Sequence, residues 1–383
     1  MIGLATRNVE KLVEESRLPE VVPQISLCSP ALRSLARAAG ESPRSSEVAK
    51  QVSTLQEWIN AIARTATADN RAPTESGLRM FKNLLGELAK NYDPATVQAE
   101  IFICPMHPDC ASPKVGAECA KCSMALVKRR IPYSFIYTLP GESTMVLSAT
   151  ANGPCEAGRK LDVKVRLTRK DGSPVLLNDL MVMHTQPIHL LIQEAGLDDY
   201  HHEHPVPAGQ PGEYAFSFTP ARTTSYRIWA DIVPMATGIQ ELPHADLPSA
   251  GQPVALQRTP DRLNATVEGY QFTLNLAGGN HLPVQAGKTR MMSITVTDPQ
   301  RQPVKTLEPL MNAFAHLVGF YDDYQTVVHI HPSGGDILNP ELRGGPSLAF
   351  QFYPPKAGFL RLYCQVRIGG KMLFAPFDVN VAP

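Results

Sequence analysis

The sequence predicts a multi-domain chain of the α plus all-β class, in which helices come first and two tandem β-sandwiches come last. The chain has 383 residues, more than the about 100–200 residues of a typical single domain. Apolar residues recur every three or four positions before residue 99, whereas from about residue 133 they alternate with polar residues. Proline contributes 34 residues and charged residues only 19%, a composition that favours short strands and turns.

Residues 1–99 are predicted to form a helical domain. One helix is indicated by a stripe of apolar residues with spacings of four and three, namely Val48, Val52, Leu55, Ile59 and Ile62. A second helix is predicted at about 74–91 by a similar stripe, namely Leu78, Phe81, Leu85 and Leu88. Because each stripe needs an apolar partner, we expect a helical hairpin or small bundle with a structural or interaction role.

The β region contains two similar halves, which we predict to be tandem immunoglobulin-like β-sandwich domains at 140–258 and 259–383. Pro174-Val175 recurs 129 residues later as Pro303-Val304, and Arg227 recurs 134 residues later as Arg361. Small length changes between long matched stretches are typical of a tandem duplication. Repeats of this length, rich in strands and turns, suit β-sandwiches.

The charge balance excludes some partners. Lys plus Arg and Asp plus Glu both number 36, so we expect no nucleic-acid partner and no anionic membrane surface. No apolar stretch approaches the about 18 residues of a transmembrane helix. The first residues also lack the apolar core of a signal peptide, so a cytoplasmic location is one alternative.

The cysteines point to a metal site. Four of the seven lie close together, which favours metal ligands over a disulfide framework. Cys104-x-x-His107 and Cys119-x-x-Cys122 provide two ligand pairs on two turns, as a tetrahedral site of three thiolates and one imidazole requires. Thiolates select soft or borderline ions, so Cu(I) and Zn(II) are the expected cofactors. Residues 100–130 are therefore predicted to be a small metal-stapled module, with the ion in either a structural or a trafficking role.

A first histidine triad is predicted where the sequence reads HLLIQEAGLDDYHHEHP. If this segment is a hairpin with its turn near 195–198, His189 lies opposite His204, and His202 lies two residues along the same face. Neutral imidazole is a common ligand for Zn(II) and Cu(II), and three imidazoles leave one coordination position open. His201 would point to the opposite face of a regular strand.

The second half repeats this pattern in HLVGFYDDYQTVVHIHP, where His316 lies opposite His331 and His329 lies beside it. Matched spacing in two diverged copies favours metal binding, because positions that needed only to be polar would have drifted. The alternative is a hydrogen-bonded histidine network that holds each hairpin together. Further donors differ between the copies, since Met181, Met183 and His184 precede the first triad and Met311 precedes the second. His244 is a weaker candidate.

Residues 102–127 resemble the heavy-metal-binding domain found at the ends of copper-transporting P-type ATPases and in adaptor subunits of periplasmic metal-efflux pumps. The shared residues are Cys104-Pro105-Met106-His107-Pro108, Cys119-x-x-Cys122, Met124 and Leu126. The sequence departs from the family pattern at Val115-Gly116, where the family has Pro-Gly, at Ala120, where it has Pro, and at Ser123, where it has Gly.

Residues 100–383 also resemble bacterial secreted or periplasmic proteins that pair such a module with β-sandwich repeats carrying a His-Leu-(Val/Ile) strand and a His-x-His-Pro strand. These proteins are linked to copper handling. The resemblance implies a periplasmic or secreted location, and we expect a metal-efflux or metallochaperone protein as a partner.

Three functions follow as hypotheses. The first is a protein that sequesters or hands on copper or zinc, with one ion at the cysteines and one at each triad. The second is a metalloenzyme with a three-histidine site, for which Asp198, Asp199 or Glu203 is the best general base in the first copy. The third is an adaptor whose helices bind a partner while the metal is structural. The sequence contains no nucleophile–base constellation, so catalysis is less favoured than binding.

Overall fold

The structure, a computed structural model, describes residues 2–38, 45–91, 98–107, 110–112, 115–132, 143–249, 251–252, 254–280, 283–330, 332–333 and 337–383. These residues form two compact units. The first consists mainly of the described residues up to 117, and the second mainly of 143–235 and 240–383. Among the described residues, no helix is both long enough and apolar enough to cross a membrane.

The N-terminal region is a helical bundle. Its helices are α1 (Ile2–Glu14), α2 (Val21–Ser26), α3 (Cys28–Ala38), α4 (Ser45–Thr67) and α5 (Arg71–Ala89), with a 3-10 turn at Leu18–Glu20. Both predicted stripes are buried along α4 and α5, which pack as the predicted hairpin. Helices α1–α3 complete the same apolar core. Cys28 belongs to this core, where burial raises the pKa of its thiol to about 12, as expected of an inert structural cysteine.

A small antiparallel sheet follows the helices. Strand β1 (Gln98–Ile103) lies between β2 (Ala111–Ser112) and β3 (Val127–Pro132). Pairing between β1 and β3 runs from Gln98 opposite Pro132 to Ile103 opposite Val127. The cysteine-containing turns therefore begin where this sheet ends.

Repeat 1 consists of two four-stranded sheets around one core. Its strands are β4 (Met145–Ala151), β5 (Leu161–Arg169), β6 (His189–Glu194), β7 (Tyr200–Glu203), β8 (Val206–Pro207), β9 (Glu213–Phe218), β10 (Tyr226–Asp231) and β11 (His244–Leu247). The sheet orders are β4-β5-β9-β8 and β11-β10-β6-β7. Apolar residues of both sheets, such as Val163 and Ile192, share the core.

Repeat 2 has the same plan. Its strands are β12 (Asn264–Val267), β13 (Tyr270–Leu276), β14 (Val284–Gln285), β15 (Arg290–Thr297), β16 (His316–Tyr321), β17 (Val327–Ile330), β18 (Ser347–Phe352), β19 (Gly358–Ile368) and β20 (Lys371–Ala382). The order β20-β19-β16-β17 corresponds to β11-β10-β6-β7 of repeat 1. A helical region followed by mostly antiparallel β-structure confirms the coarse fold class, whereas the immunoglobulin-like assignment and the domain limits remain predictions.

The two repeats pack through the outer faces of these equivalent sheets. Leu190 and Ile192 of β6 face the core of repeat 1. Leu191 faces the other way, into a cluster that includes Trp229 of repeat 1 and Val318 of repeat 2. Both faces of β6 and β16 are consequently buried, as in strands covered on two sides.

Equivalent hydrogen bonds cross this interface in both directions. Arg227 Nη1 donates to the Tyr324 carbonyl oxygen at 2.7 Å, and Arg361 Nη1 donates to the Leu197 carbonyl oxygen at 3.2 Å. Arg227 and Arg361 correspond in the duplication, and so do Leu197 and Tyr324. Each repeat therefore makes the same contact with the other, as two subunits do across a two-fold axis.

Candidate metal centres

The cysteine module is held by two tight backbone turns. After β1, the Cys104 amide donates to the Cys110 carbonyl at 3.0 Å and the Cys110 amide donates to the His107 carbonyl at 2.7 Å. In the second turn the Ser123 amide donates to the Cys119 carbonyl at 2.8 Å. Ser123 adopts φ 59° there, the left-handed conformation for which the related family uses glycine. Ser123 thus adopts the backbone conformation that the turn requires, and the turn is closed without a glycine.

These turns bring the four predicted ligands together. One ligand atom from each of Cys104, His107, Cys119 and Cys122 lies within 4.8 Å of all the others. Cys104 Sγ is 3.8 Å from His107 Nδ1. Ligand atoms of a tetrahedral zinc site, with bonds of about 2.0–2.3 Å, are about 3.5–3.8 Å apart. The donor set and its spacing therefore fit a soft or borderline ion after a small contraction.

The first triad lies on the hairpin that the sequence predicts. Strands β6 and β7 pair with Leu190 opposite Glu203 and Leu191 opposite His202, which is the predicted register. His189 Nδ1 is 3.2 Å from His202 Nε2 and 3.0 Å from His204 Nε2.

Protein acceptors orient the imidazoles of this triad. His189 Nε2 is 2.9 Å from the Met183 carbonyl oxygen, which assigns the proton to Nε2 and the lone pair to Nδ1. His202 Nδ1 is 2.8 Å from Gln365 Oε1, which assigns its lone pair to Nε2. The two lone pairs then face each other, an arrangement that a cation between them stabilises. Hydrogen bonds to the second nitrogen are the usual support of metal-binding histidines.

Repeat 2 places its histidines in the same way. His316 Nε2 donates to the Leu310 carbonyl at 3.0 Å, and His329 Nδ1 donates to Asp231 Oδ2 of repeat 1 at 2.7 Å. The centroids of the His316 and His329 rings are 5.8 Å apart. His331, the predicted third ligand, lies outside the described residues, so its role remains a prediction.

The structure brings the two sets of histidines to one place. Ring centroids of His329 and His189 are 6.2 Å apart, and those of His329 and His202 are 6.4 Å apart. The expected separate sites are thus neighbours at the repeat interface. Asp231 and Gln365 are the functional residues that the sequence reasoning missed. They occupy equivalent positions of the duplication, with the 134-residue offset of Arg227 and Arg361, which is the signal that could have identified them.

Two family models match the chain. The family described as Domain of unknown function (DUF8832) matches residues 143–240 and 265–383, more than half of the sequence. The chain belongs to this family. The family described as Heavy metal binding domain matches residues 101–129, which, together with the four-ligand cluster, confirms the heavy-metal-binding module. No curated protein matches the chain, and the copper association of the repeats remains a prediction.

Burial favours the neutral, metal-binding form of five histidines in the DUF8832 segments. Desolvation lowers the pKa of His189, His202 and His316 below the usual histidine value. The same cause lowers the pKa of His204 to about 4 and that of His184 to about 3.

Asp231 is the buried anion of this centre. Burial tends to raise the pKa of its carboxyl, but the hydrogen bonds that it accepts, first from His329, outweigh that effect and hold the pKa below its usual value. Gln240 Nε2 also donates to Asp231 Oδ1 at 2.7 Å. An ionised carboxylate beside neutral imidazoles offsets part of the charge of a bound cation.

Two of the carboxylates proposed as general bases are engaged elsewhere in the DUF8832 segments. Asp198 accepts hydrogen bonds from Arg222 and Arg361. Asp199 Oδ2 accepts from the Ala221 amide at 2.6 Å, and its Oδ1 lies 3.1 Å from His201 Nε2.

His201, Glu203 and His244 are the remaining candidates from the sequence. The His201 ring lies against Phe218, on the face opposite to the triad, as its place in the strand predicts. Burial raises the pKa of Glu203. His244 is exposed on β11. Asp231, which the sequence did not single out, is a carboxylate that accepts a hydrogen bond from a histidine of the centre.

Proposed function

We propose that this protein binds copper or zinc and sequesters the ion or hands it on. The proposal is supported most directly by the four-ligand cysteine module, whose ligand atoms lie within 4.8 Å of one another inside a matched heavy metal binding domain. In the first histidine triad, the ligand atoms also lie within 4.8 Å of one another, but all of them are imidazole nitrogens. The protein thus offers thiolates and imidazoles in separate sites.

The two donor sets suit the chemistry of these metals. Three thiolates and one imidazole favour Cu(I) or Zn(II), whereas imidazoles alone accept Zn(II) or Cu(II). An ion can therefore be held in different coordination environments on one chain. Handover would require a partner, for which a metal-efflux or metallochaperone protein in the periplasm or outside the cell is the expected class.

The test is native mass spectrometry of the full chain, loaded under reducing, oxygen-free conditions with zinc or Cu(I). Cys104→Ser should remove the ion of the cysteine module, and His202→Gln should remove the ion of the first triad. Cys110→Ser and His244→Gln are the matched controls, because neither residue is a ligand of the cysteine module or of the first triad, and both should retain every ion. Equal uptake by Cys104→Ser and Cys110→Ser would contradict a thiolate site at this position.

A metalloenzyme is the second candidate, supported by one observation. The first triad supplies three imidazoles, which leaves a coordination position for a water molecule or substrate. Zinc-loaded wild-type protein should then hydrolyse an activated ester faster than zinc-loaded His202→Gln. Equal rates for the two proteins would exclude this function for the triad.

A further inference from the structure

His184 is a histidine of repeat 1 that lies against the histidines of repeat 2. Its ring centroid is 5.7 Å from that of His316 and 6.2 Å from that of His329. With the 5.8 Å between His316 and His329, the three rings form a nearly equilateral triangle. The rings of the first triad are 4.8–5.4 Å apart, so this second triangle is wider by less than 1.5 Å at any edge.

A tight turn holds His184 in this place. Met183 and Gln186 exchange two backbone hydrogen bonds of 3.0 Å, and the two residues between them, His184 and Thr185, have φ 48° and φ 72°. Such a two-residue turn with left-handed residues usually contains asparagine and glycine. A histidine and a β-branched residue are costly there, and conformations of this kind concentrate at functional sites.

Repeat 2 has the same turn at the equivalent position. In repeat 2, Leu310 and Ala313 exchange the equivalent hydrogen bonds, of 2.7 and 3.0 Å. Met311 and Asn312 between them have φ 50° and φ 62°. Met311 therefore occupies the position of His184, and both positions carry a side chain that can bind a metal.

Charge and tautomer also suit a cation inside the second triangle. The proton of His316 lies on Nε2 and that of His329 on Nδ1, because these nitrogens donate to Leu310 and Asp231. The lone pairs are thus on the other nitrogen of each ring. The Asp231 carboxylate supplies negative charge within hydrogen-bond distance of one of the three rings.

We propose that His184 joins His316 and His329 in a second ion position, so that the repeat interface holds two metal ions side by side. One ion is held by His189, His202 and His204, and the other by ligands from both repeats. The inference rests on the proposed metal-binding function and adds to it a second ion position whose ligands come from both repeats.

The test compares zinc stoichiometry of the full chain, by native mass spectrometry, in wild type, His184→Asn and His204→Gln. Asparagine tolerates the left-handed backbone, so the turn is retained, and circular dichroism of the metal-free proteins checks the fold. Each variant should bind one zinc ion fewer than wild type. A double variant should lose both ions, and His244→Gln should lose none.

The outcomes separate the two proposals. If His204→Gln loses an ion but His184→Asn binds as many as wild type, the second position is wrong and the proposed function stands. If wild type takes up no zinc beyond the cysteine module, both the first triad and the second position are excluded. Substitution with Co(II) gives an independent readout, since the thiolate charge-transfer band of the cysteine module should be the same in wild type and His184→Asn.

Discussion

The cysteine module and the histidine centre hold their candidate ligands through opposite designs. In the module, all four ligands come from a short stretch of chain, and backbone turns on a three-stranded sheet hold them. In the histidine centre, the ligands come from strands far apart in sequence, and two apolar cores with a third cluster between the repeats hold them. The module is local and has little core, whereas the centre is assembled by the whole fold.

This difference has an energetic consequence. A segment without enough apolar surface to bury depends on its ion for stability, because binding free energy and folding free energy are then the same quantity. A site inside a packed interface is already organised by burial. Removal of metal should therefore unfold the module and leave the histidine centre folded.

The largest expected effect is that of metal removal from the module. Chelation, or Cys104→Ser, should abolish the order of β1–β3, because structural zinc contributes about 10 kcal/mol or more to folding in such modules. Hydrogen exchange should show loss of amide protection in β1–β3 and unchanged protection in β4–β20. Cys110→Ser is the control and should behave as wild type. Equal loss of protection in β4–β20 would contradict the contrast between the two sites.

The second effect concerns the apolar cluster between the repeats. Leu191 is fully buried there, so Leu191→Ala should lower the free energy of unfolding by about 2–5 kcal/mol. Leu338 is 77% exposed, and Leu338→Ala should change it by less than about 0.5 kcal/mol. Urea denaturation measures both. A small effect of Leu191→Ala would mean that the repeats are not held by this cluster.

The sequence predicted the local features better than the long-range ones. The cysteine spacing, the helical stripes and the hairpin register follow from neighbouring residues, and the structure has all three. The packing of one repeat on the other depends on which sheet faces are covered, and the local sign of it was a short apolar run in each strand, at 190–192 of β6 and 317–321 of β16. The repeat alignment makes Asp231 and Gln365 equivalent positions, but it does not show that His202 bonds Gln365, because that contact depends on how one repeat packs on the other.

The third prediction is the acid sensitivity of the metal-free histidine centre. The pKa values of His204 and His184 are lowered to about 4 and about 3 in the folded state, against about 6.5 in the unfolded chain. His189, His329 and Asp231 are the charged or titratable neighbours that contribute to these shifts. Between pH 6.5 and 4 the unfolded state binds more protons, so the free energy of unfolding should fall as the pH falls.

Each such imidazole contributes a slope of at most about 1.4 kcal/mol per pH unit. The stability should be complete above pH 6.5 and should decrease below it. Urea denaturation across this range measures the slope, and His184→Asn combined with His204→Gln should flatten it. An unaltered slope in the double variant would show that acid acts elsewhere.

The smallest expected effect is a difference in zinc affinity between the two sets of histidines in the centre. His329 donates to the Asp231 carboxylate at 2.7 Å, whereas His202 bonds the Gln365 amide at 2.8 Å. Asp231→Asn should weaken zinc binding at His316 and His329 by about 10–100-fold, or about 1.4–2.7 kcal/mol, because it removes a charge that offsets the cation.

Gln365→Glu should tighten zinc binding at the first triad, because it adds a charge that offsets the cation. Competition with a zinc chelator measures the affinity of both variants. Because the two residues are equivalent by duplication, each variant is the control for the other, and equal effects of Asp231→Asn on both ions would contradict a separate role for each side chain.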